Sequence, residues 1–188
     1  MEGAWSALKQ RLEELDNLGS AMGLLEWDQQ THMPSGGAVH RGAQLATLSA
    51  IHHERLTDPR LTEWMEAIDS AGADPIQTAA IRNTRRQHTR ATQVPVDLVR
   101  AFARARADGF TAWGTARESG SFADFVPALR ELVALTRQVV QCYGPAEHSY
   151  DHLLESYDPG SRTAELQPMF GRLRTELSKF VAACGQVS

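Results

Sequence analysis

Residues 1–37 read MEGAWSALKQRLEELDNLGSAMGLLEWDQQTHMPSGG, and this stretch indicates the class of the fold. Its apolar side chains recur every three or four residues, a spacing that puts them on one face of a helix. They are Trp5, Leu8, Leu12, Leu15, Leu18, Met22 and Leu25. Pro34 and the paired glycines Gly36 and Gly37 then interrupt the pattern. The stretch therefore predicts a long first helix that ends near Met33.

The helical period continues along the chain, divided by proline and glycine. Asp58-Pro59 and Asp74-Pro75 each place a capping carboxylate before a proline at the first helical position, which predicts the start of a third and a fourth helix. Val94-Pro95 precedes a fifth helix, and Gly144-Pro145 ends a sixth. No segment alternates apolar and polar residues over four or more positions. We expect an all-α fold of about seven or eight helices, packed as a bundle-like lobe in a single domain over residues 1–188.

Some helix faces and ends are predicted in more detail. The second helix is expected to turn Leu45, Leu48, Leu56 and either Ile51 or His52 inward. A short helix is expected across residues 150–157. Thr163 is expected to cap the last helix, and Gly185 offers a stop for it.

Composition excludes several classes of function. Hydrophobic residues make up 42% of the 188 residues and charged residues 22%, which is typical of a globular domain. The net charge of −4 leaves no positive field for nucleic acid or an anionic membrane. Charged residues interrupt the start of the chain, so we expect neither a signal peptide nor a membrane span, and a cytoplasmic location. Cys142 and Cys184 lie far apart and are expected to be free core thiols.

Four stretches, in their order and spacing, resemble the N-terminal part of the carboxypeptidase Taq family. They are residues 24–37 (LLEWDQQTHMPSGG), residues 44–49 (QLATLS), residues 90–99 (RATQVPVDLV) and residues 150–160 (YDHLLESYDPG). The resemblance implies a much longer, mostly helical enzyme that removes C-terminal residues from peptides and works as a homodimer. It also implies zinc, or cobalt, held by a His-Glu-x-x-His helix and a downstream glutamate.

That zinc motif is absent from this sequence. In such a motif two histidines four apart present both imidazoles to one metal. His53-Glu54-Arg55-Leu56-Thr57 has threonine where the second histidine is required. His148 and His152 are four apart, but no glutamate follows His148. We therefore predict no catalytic residue, cofactor site or metal site in this chain, with His148 and His152 as the remaining candidates for a metal.

Two other groups of residues are candidates for a site. Trp27 and Asp28 could line a substrate groove, but we expect Trp27 to pack and Asp28 to hydrogen-bond the loop from Met33 to Gly37. Arg82, Arg86 and Arg90 are four apart on one helix and form a basic face. This face lacks the aromatic residues that stack on bases, so a solvated face or a protein contact is favoured over nucleic acid.

These observations predict the non-catalytic helical lobe of a carboxypeptidase Taq-like protein, either a naturally short homologue or part of a longer chain. Helices that would pack on a missing catalytic half need cover, which favours a homodimer or binding to a full-length carboxypeptidase homologue. The alternative is a fragment of an active metal-dependent carboxypeptidase that removes C-terminal residues from peptides.

Overall fold

A computed structural model describes residues 2–69 and 72–184, and its regular structure there is entirely helical. The α-helices are α1 (Glu2–Thr31), α2 (Ala38–Leu56), α3 (Arg60–Asp69), α4 (Pro75–Thr92), α5 (Val96–Ser119), α6 (Phe122–Cys142), α7 (Asp151–Leu154) and α8 (Thr163–Cys184). A 3-10 turn, Ser35–Gly37, precedes α2. The predicted all-α fold of seven or eight helices is confirmed.

The chain divides into two compact units, one ending at Cys142 and the other beginning at Tyr143. The first unit holds α1 to α6 and the second holds α7 and α8. A single domain over the whole chain stays a prediction. None of the helices in residues 2–69 and 72–184 is long and apolar enough to cross a membrane.

The core of the first unit lies where α1, α3 and α4 meet. Its fully or almost fully buried side chains are Leu8, Leu61, Met65, Ile68 and Ile81. Trp5, Leu12 and Trp64 are partly buried against them. Burying side chains of this size contributes about 1.5–3 kcal/mol each, so this cluster carries much of the stability of the unit.

A second contact runs along α2 and α5, and α6 packs on α5. Small residues on α2 and α5 are buried there, among them Ala46, Ala50, Ala105 and Ala107. At the α5–α6 contact, a Cβ atom at Gly109 would lie 2.8 Å from the Leu132 Cδ1 atom. Small side chains therefore let these helices approach closely.

The start of α4 agrees with the prediction, the start of α3 differs by one residue, and the structure decides which residue of α2 faces inward. Asp74 forms a capping box with Gln77, in which the Gln77 backbone N–H donates to the Asp74 carboxylate at 2.9 Å. α3 begins at Arg60, one residue later than predicted. On α2, Leu45 is buried, while Ile51 is exposed and His52 is partly buried. The structure therefore selects His52 as the inward residue.

The second unit corrects three expectations. α7 spans only Asp151–Leu154, which is shorter than predicted. Thr163 is the first residue of α8 and does not cap it; instead the Asp151 carboxylate accepts the Thr163 backbone N–H at 2.7 Å. Cys142 and Cys184 are both free, as expected, but neither is a core thiol, since Cys142 is only partly buried and Cys184 is exposed. Gly185, the expected stop, lies outside the described residues.

Candidate functional site

The end of α1 is held to α2 by one arginine. The Arg41 guanidinium donates to the Asp28 carboxylate at 2.6 Å, to the Gln44 side-chain oxygen at 3.2 Å, and to the Leu25 backbone carbonyl. Its side chain is only 11% exposed. Arg41 therefore bonds a carbonyl and a carboxylate in the last two turns of α1 and joins two of the family-like stretches.

The Asp28 carboxylate was expected to hydrogen-bond the loop from Met33 to Gly37, but its partner is a different residue. Its carboxylate pairs with Arg41 rather than with the loop, whereas its backbone carbonyl accepts the His32 and Met33 N–H groups at 2.9 and 2.8 Å. Trp27 was expected to pack, but it is 56% exposed, with its ring centroid 5.0 Å from that of His32. Asp28 is therefore a structural residue at the helix end, and Trp27 presents an aromatic surface beside it.

The other two family-like stretches also make contacts within the fold. Val94 is buried, and its backbone hydrogen-bonds the ring of His53. Burial lowers the pKa of His53, an effect that this hydrogen bond and the charge of Glu54 partly offset. In the second unit the Asp151 carboxylate accepts two hydrogen bonds from Thr163, and these hold the pKa of Asp151 below its usual value.

The residues present do not fit the zinc site that the resemblance implies. Within residues 2–69 and 72–184, no group of three or more His, Cys, Asp or Glu side chains comes together to hold a metal ion. A catalytic zinc needs three protein ligands and an open position.

His148 and His152 do not share a helix. α7 begins at Asp151, so His148 lies in the preceding turn and His152 lies on the helix. A ring nitrogen of His152 is 3.1 Å from the Gly144 carbonyl oxygen, and its ring packs 5.4 Å from that of Tyr143. The four-residue spacing therefore does not bring the two imidazoles onto one helical face.

The predicted basic face lies on α4. Arg82 is exposed, whereas Arg86 and Arg90 are partly buried and have partners of their own. Their neighbour Arg85 pairs with the Asp69 carboxylate at 2.6 Å. Arg85, Arg86 and Arg90 thus have partners within the described residues, and a contact of this face with another protein stays a prediction.

A continuous apolar surface lies on α8. We call it the α8 face and define it by Leu166, Met169, Phe170, Leu173, Leu177, Phe180 and Val181. These residues recur at three and four positions and so fall on one side of the helix. Phe170 is 56% exposed and Leu177 is 49% exposed. The exposed side runs along this one helix from Phe170 to Ala182. The α8 face is the candidate interaction site of the described residues.

Three important side chains were missed by the sequence analysis. Arg41 and Asp151 form their hydrogen bonds across loops, and Arg11 is buried on α1 with its guanidinium 3.0 Å from the Asp58 carboxylate. Arg11 had a usable signal, because it falls among the apolar positions Leu8, Leu12 and Leu15 of α1. Arg41 and Asp151 had none, since their partners are set by tertiary structure.

Comparison with known proteins gives the family. The model for carboxypeptidase Taq (M32) metallopeptidases matches residues 7–187. Thermostable carboxypeptidase 1 of Thermus thermophilus is 33% identical over 189 residues, which cover 94% of this chain and 37% of the relative. The relative from Pyrococcus furiosus is 27% identical and covers 85% of this chain and 32% of its own length.

Solved structures have the same fold. A crystal structure of BsuCP superposes with a TM-score of 0.88 at 21% identity, covering 92% of this chain and 35% of that protein. Metallocarboxypeptidase 1 of Trypanosoma cruzi gives a TM-score of 0.72 at 28% identity, covering 93% and 36%. The chain thus spans about a third of the length of the relatives it matches, and it belongs to the carboxypeptidase Taq family of metallopeptidases.

Proposed function

We propose that this chain is a non-catalytic helical lobe of a carboxypeptidase Taq-type metallopeptidase, and that it acts by binding the catalytic part of such an enzyme through the α8 face. The observation that carries the proposal is a 22-residue helix with a continuous apolar side and no buried residue. On soluble proteins, large contiguous apolar patches mark surfaces that bind a partner.

The chain matches only about a third of the length of its relatives, and this fraction indicates the partner. Its relatives are about three times as long as the matched segment, and they are carboxypeptidases. The described residues bring together no metal-binding cluster of their own. In this proposal the zinc ligands, the catalytic residues and the cover for the α8 face all belong to the remaining two thirds, joined to this chain or separate from it. We place this association in the cytoplasm.

Direct binding tests the proposal. The partner is the Thermus thermophilus relative with its matched segment deleted, mixed with the 188-residue chain in an analytical ultracentrifuge. We expect a one-to-one complex that is lost with Leu177→Asp, because the substitution puts a carboxylate into an apolar interface. The matched control is Thr175→Asp, which adds the same charge about 200° away around the helix. Equal binding by both variants, or no complex with the unaltered chain, would contradict the proposal.

Self-association is the second candidate function, and the same α8 face favours it. Two copies could cover each other's apolar sides as an isologous dimer. Light scattering at tens of micromolar distinguishes the two candidates. A dimer that becomes a monomer with Leu177→Asp supports self-association, whereas a monodisperse monomer of the unaltered chain excludes it.

A further inference from the structure

A cavity in the first unit lies between α1, α2, α5 and α6. Its volume is about 310 Å³, at the small end of the roughly 300–1,000 Å³ that small-molecule sites occupy. Charged residues lie at its open side: the Glu26 side chain is 42% exposed and that of Arg106 is 61% exposed. The buried residues Leu45 and Ala107 form its floor.

Aromatic side chains form one wall of the cavity. Phe110 and Trp113 lie one helical turn apart on α5, with ring centroids separated by 5.8 Å, and Phe125 of α6 also lines the space. Flat aromatic surfaces favour contact with a planar or bulky apolar group. The interior therefore fits the side chain of a ligand that has a large apolar end.

The polar side of the cavity is positioned before any ligand arrives. The Gln29 side-chain amide donates to the Ala107 backbone carbonyl at 3.0 Å and so ties α1 to α5 at the cavity. Glu26 is also on α1 and Arg106 is also on α5. This hydrogen bond ties together the two helices that carry the charged residues, and fixing their positions before a ligand arrives lowers the ordering cost of binding.

The two charges select the polar end of the ligand. The Arg106 guanidinium lies 3.7 Å from the Glu26 carboxylate, longer than the roughly 2.7–2.9 Å of a direct charge-assisted hydrogen bond. A ligand with a single charge would pair with one group and leave the other without its partner. A ligand that carries adjacent positive and negative groups pairs with both.

We propose that this cavity binds a free α-amino acid with a large apolar side chain. Its carboxylate pairs with Arg106, its ammonium pairs with Glu26, and its side chain enters between Trp113 and Phe125. The residues that line the cavity all belong to the first unit, so this proposal stands whether or not the proposed function holds.

Titration of the full 188-residue chain with L-phenylalanine tests the site by ligand-observed NMR and tryptophan fluorescence. We expect saturable binding. N-acetyl-L-phenylalanine lacks the ammonium and L-phenylalaninamide lacks the carboxylate, so each should bind at least tenfold more weakly, and glycine should not bind measurably. Absence of saturable binding by L-phenylalanine, or binding of either blocked analogue as tightly as L-phenylalanine, would overturn the proposal.

Substitutions of residues that line the cavity test whether L-phenylalanine binds there. Arg106→Gln and Trp113→Leu should each weaken L-phenylalanine at least tenfold with an unchanged far-UV circular dichroism spectrum. The control is Arg100→Gln on the same helix, which breaks a similarly long ion pair, 3.8 Å to Glu54, outside the cavity. The Arg100→Gln variant should bind L-phenylalanine with the same affinity as the unaltered chain. If Arg100→Gln and Arg106→Gln have the same effect, the cavity is not the binding site.

Discussion

The core around α3 and the α8 face present the same sequence pattern with opposite outcomes. Leu61 and Leu177 both belong to an apolar side of an amphipathic helix. Leu61 is fully buried against α1 and α4, whereas Leu177 is half exposed. Helical periodicity therefore identifies which side of a helix is apolar. Which other surface buries that side depends on the rest of the protein.

The largest contrast is expected from truncating these two leucines. Leu61→Ala should lower the free energy of unfolding by about 2–5 kcal/mol, because it leaves a cavity in a packed core. Leu177→Ala should change it by less than about 0.5 kcal/mol in the isolated chain. Urea denaturation followed by circular dichroism measures both. Equal losses would mean that the α8 face is already covered in solution.

Removing a buried ion pair should likewise lower the free energy of unfolding more than removing an exposed one, but the difference should be smaller than for the leucines. Asp58 accepts hydrogen bonds from Arg11 and Arg60 with its side chain 15% exposed, while Asp69 pairs with Arg85 at a more open position. Asp58→Ala should cost about 1.5 kcal/mol, a value typical of hydrogen bonds to charged groups. Asp69→Ala should cost less than about 1 kcal/mol. Denaturation of the two variants at pH 7 compares them directly.

Acid should remove the contribution of Asp58. The hydrogen bonds from Arg60, more than that from Arg11, hold the pKa of Asp58 well below its ordinary value of 3.8. A depressed carboxylate pKa contributes stability that is present above the ordinary value and is lost as the pH falls below it. The difference in unfolding free energy between the unaltered chain and Asp58→Ala should therefore shrink between pH 5 and pH 2. A constant difference would contradict this assignment.

Histidine should give a smaller effect at milder pH. Burial, assisted by the charge of His53, lowers the pKa of His52 below its ordinary value of 6.5. The unfolded chain then binds a proton more readily than the folded chain, so stability is full above pH 6.5 and falls as the pH drops below it. His52→Gln should reduce that loss between pH 7 and pH 5. An unchanged pH profile in the variant would mean that His52 does not contribute.

The smallest expected effect is local to the start of α8. Asp151→Ala removes the acceptor of the Thr163 backbone N–H, so the first turn of α8 should exchange its amide hydrogens faster. Amides in the α3 core should not change. Hydrogen exchange resolved by mass spectrometry measures both regions in one experiment, and uniform acceleration would contradict a local role.

The fold could largely be predicted from the sequence because its signals are local. The capping carboxylate of Asp74 and the break at Pro34 act within a few residues, and both appear where predicted. The contacts of Arg41 and Asp151 span 13 and 12 residues to Asp28 and Thr163, and they could not be read from spacing. The candidate site was anticipated only as helix faces in need of cover.

The most direct test of the central claim is peptidase turnover in a chimaera. This chain replaces the matched segment of the Thermus thermophilus carboxypeptidase, and release of the C-terminal amino acid from a blocked dipeptide is measured with zinc or cobalt present and with a chelator control. We predict that the chain alone is inactive, that the chimaera with Thr175→Asp is active, and that Leu177→Asp abolishes turnover. Turnover by the chain alone, or equal activity of the two chimaeric variants, would contradict it.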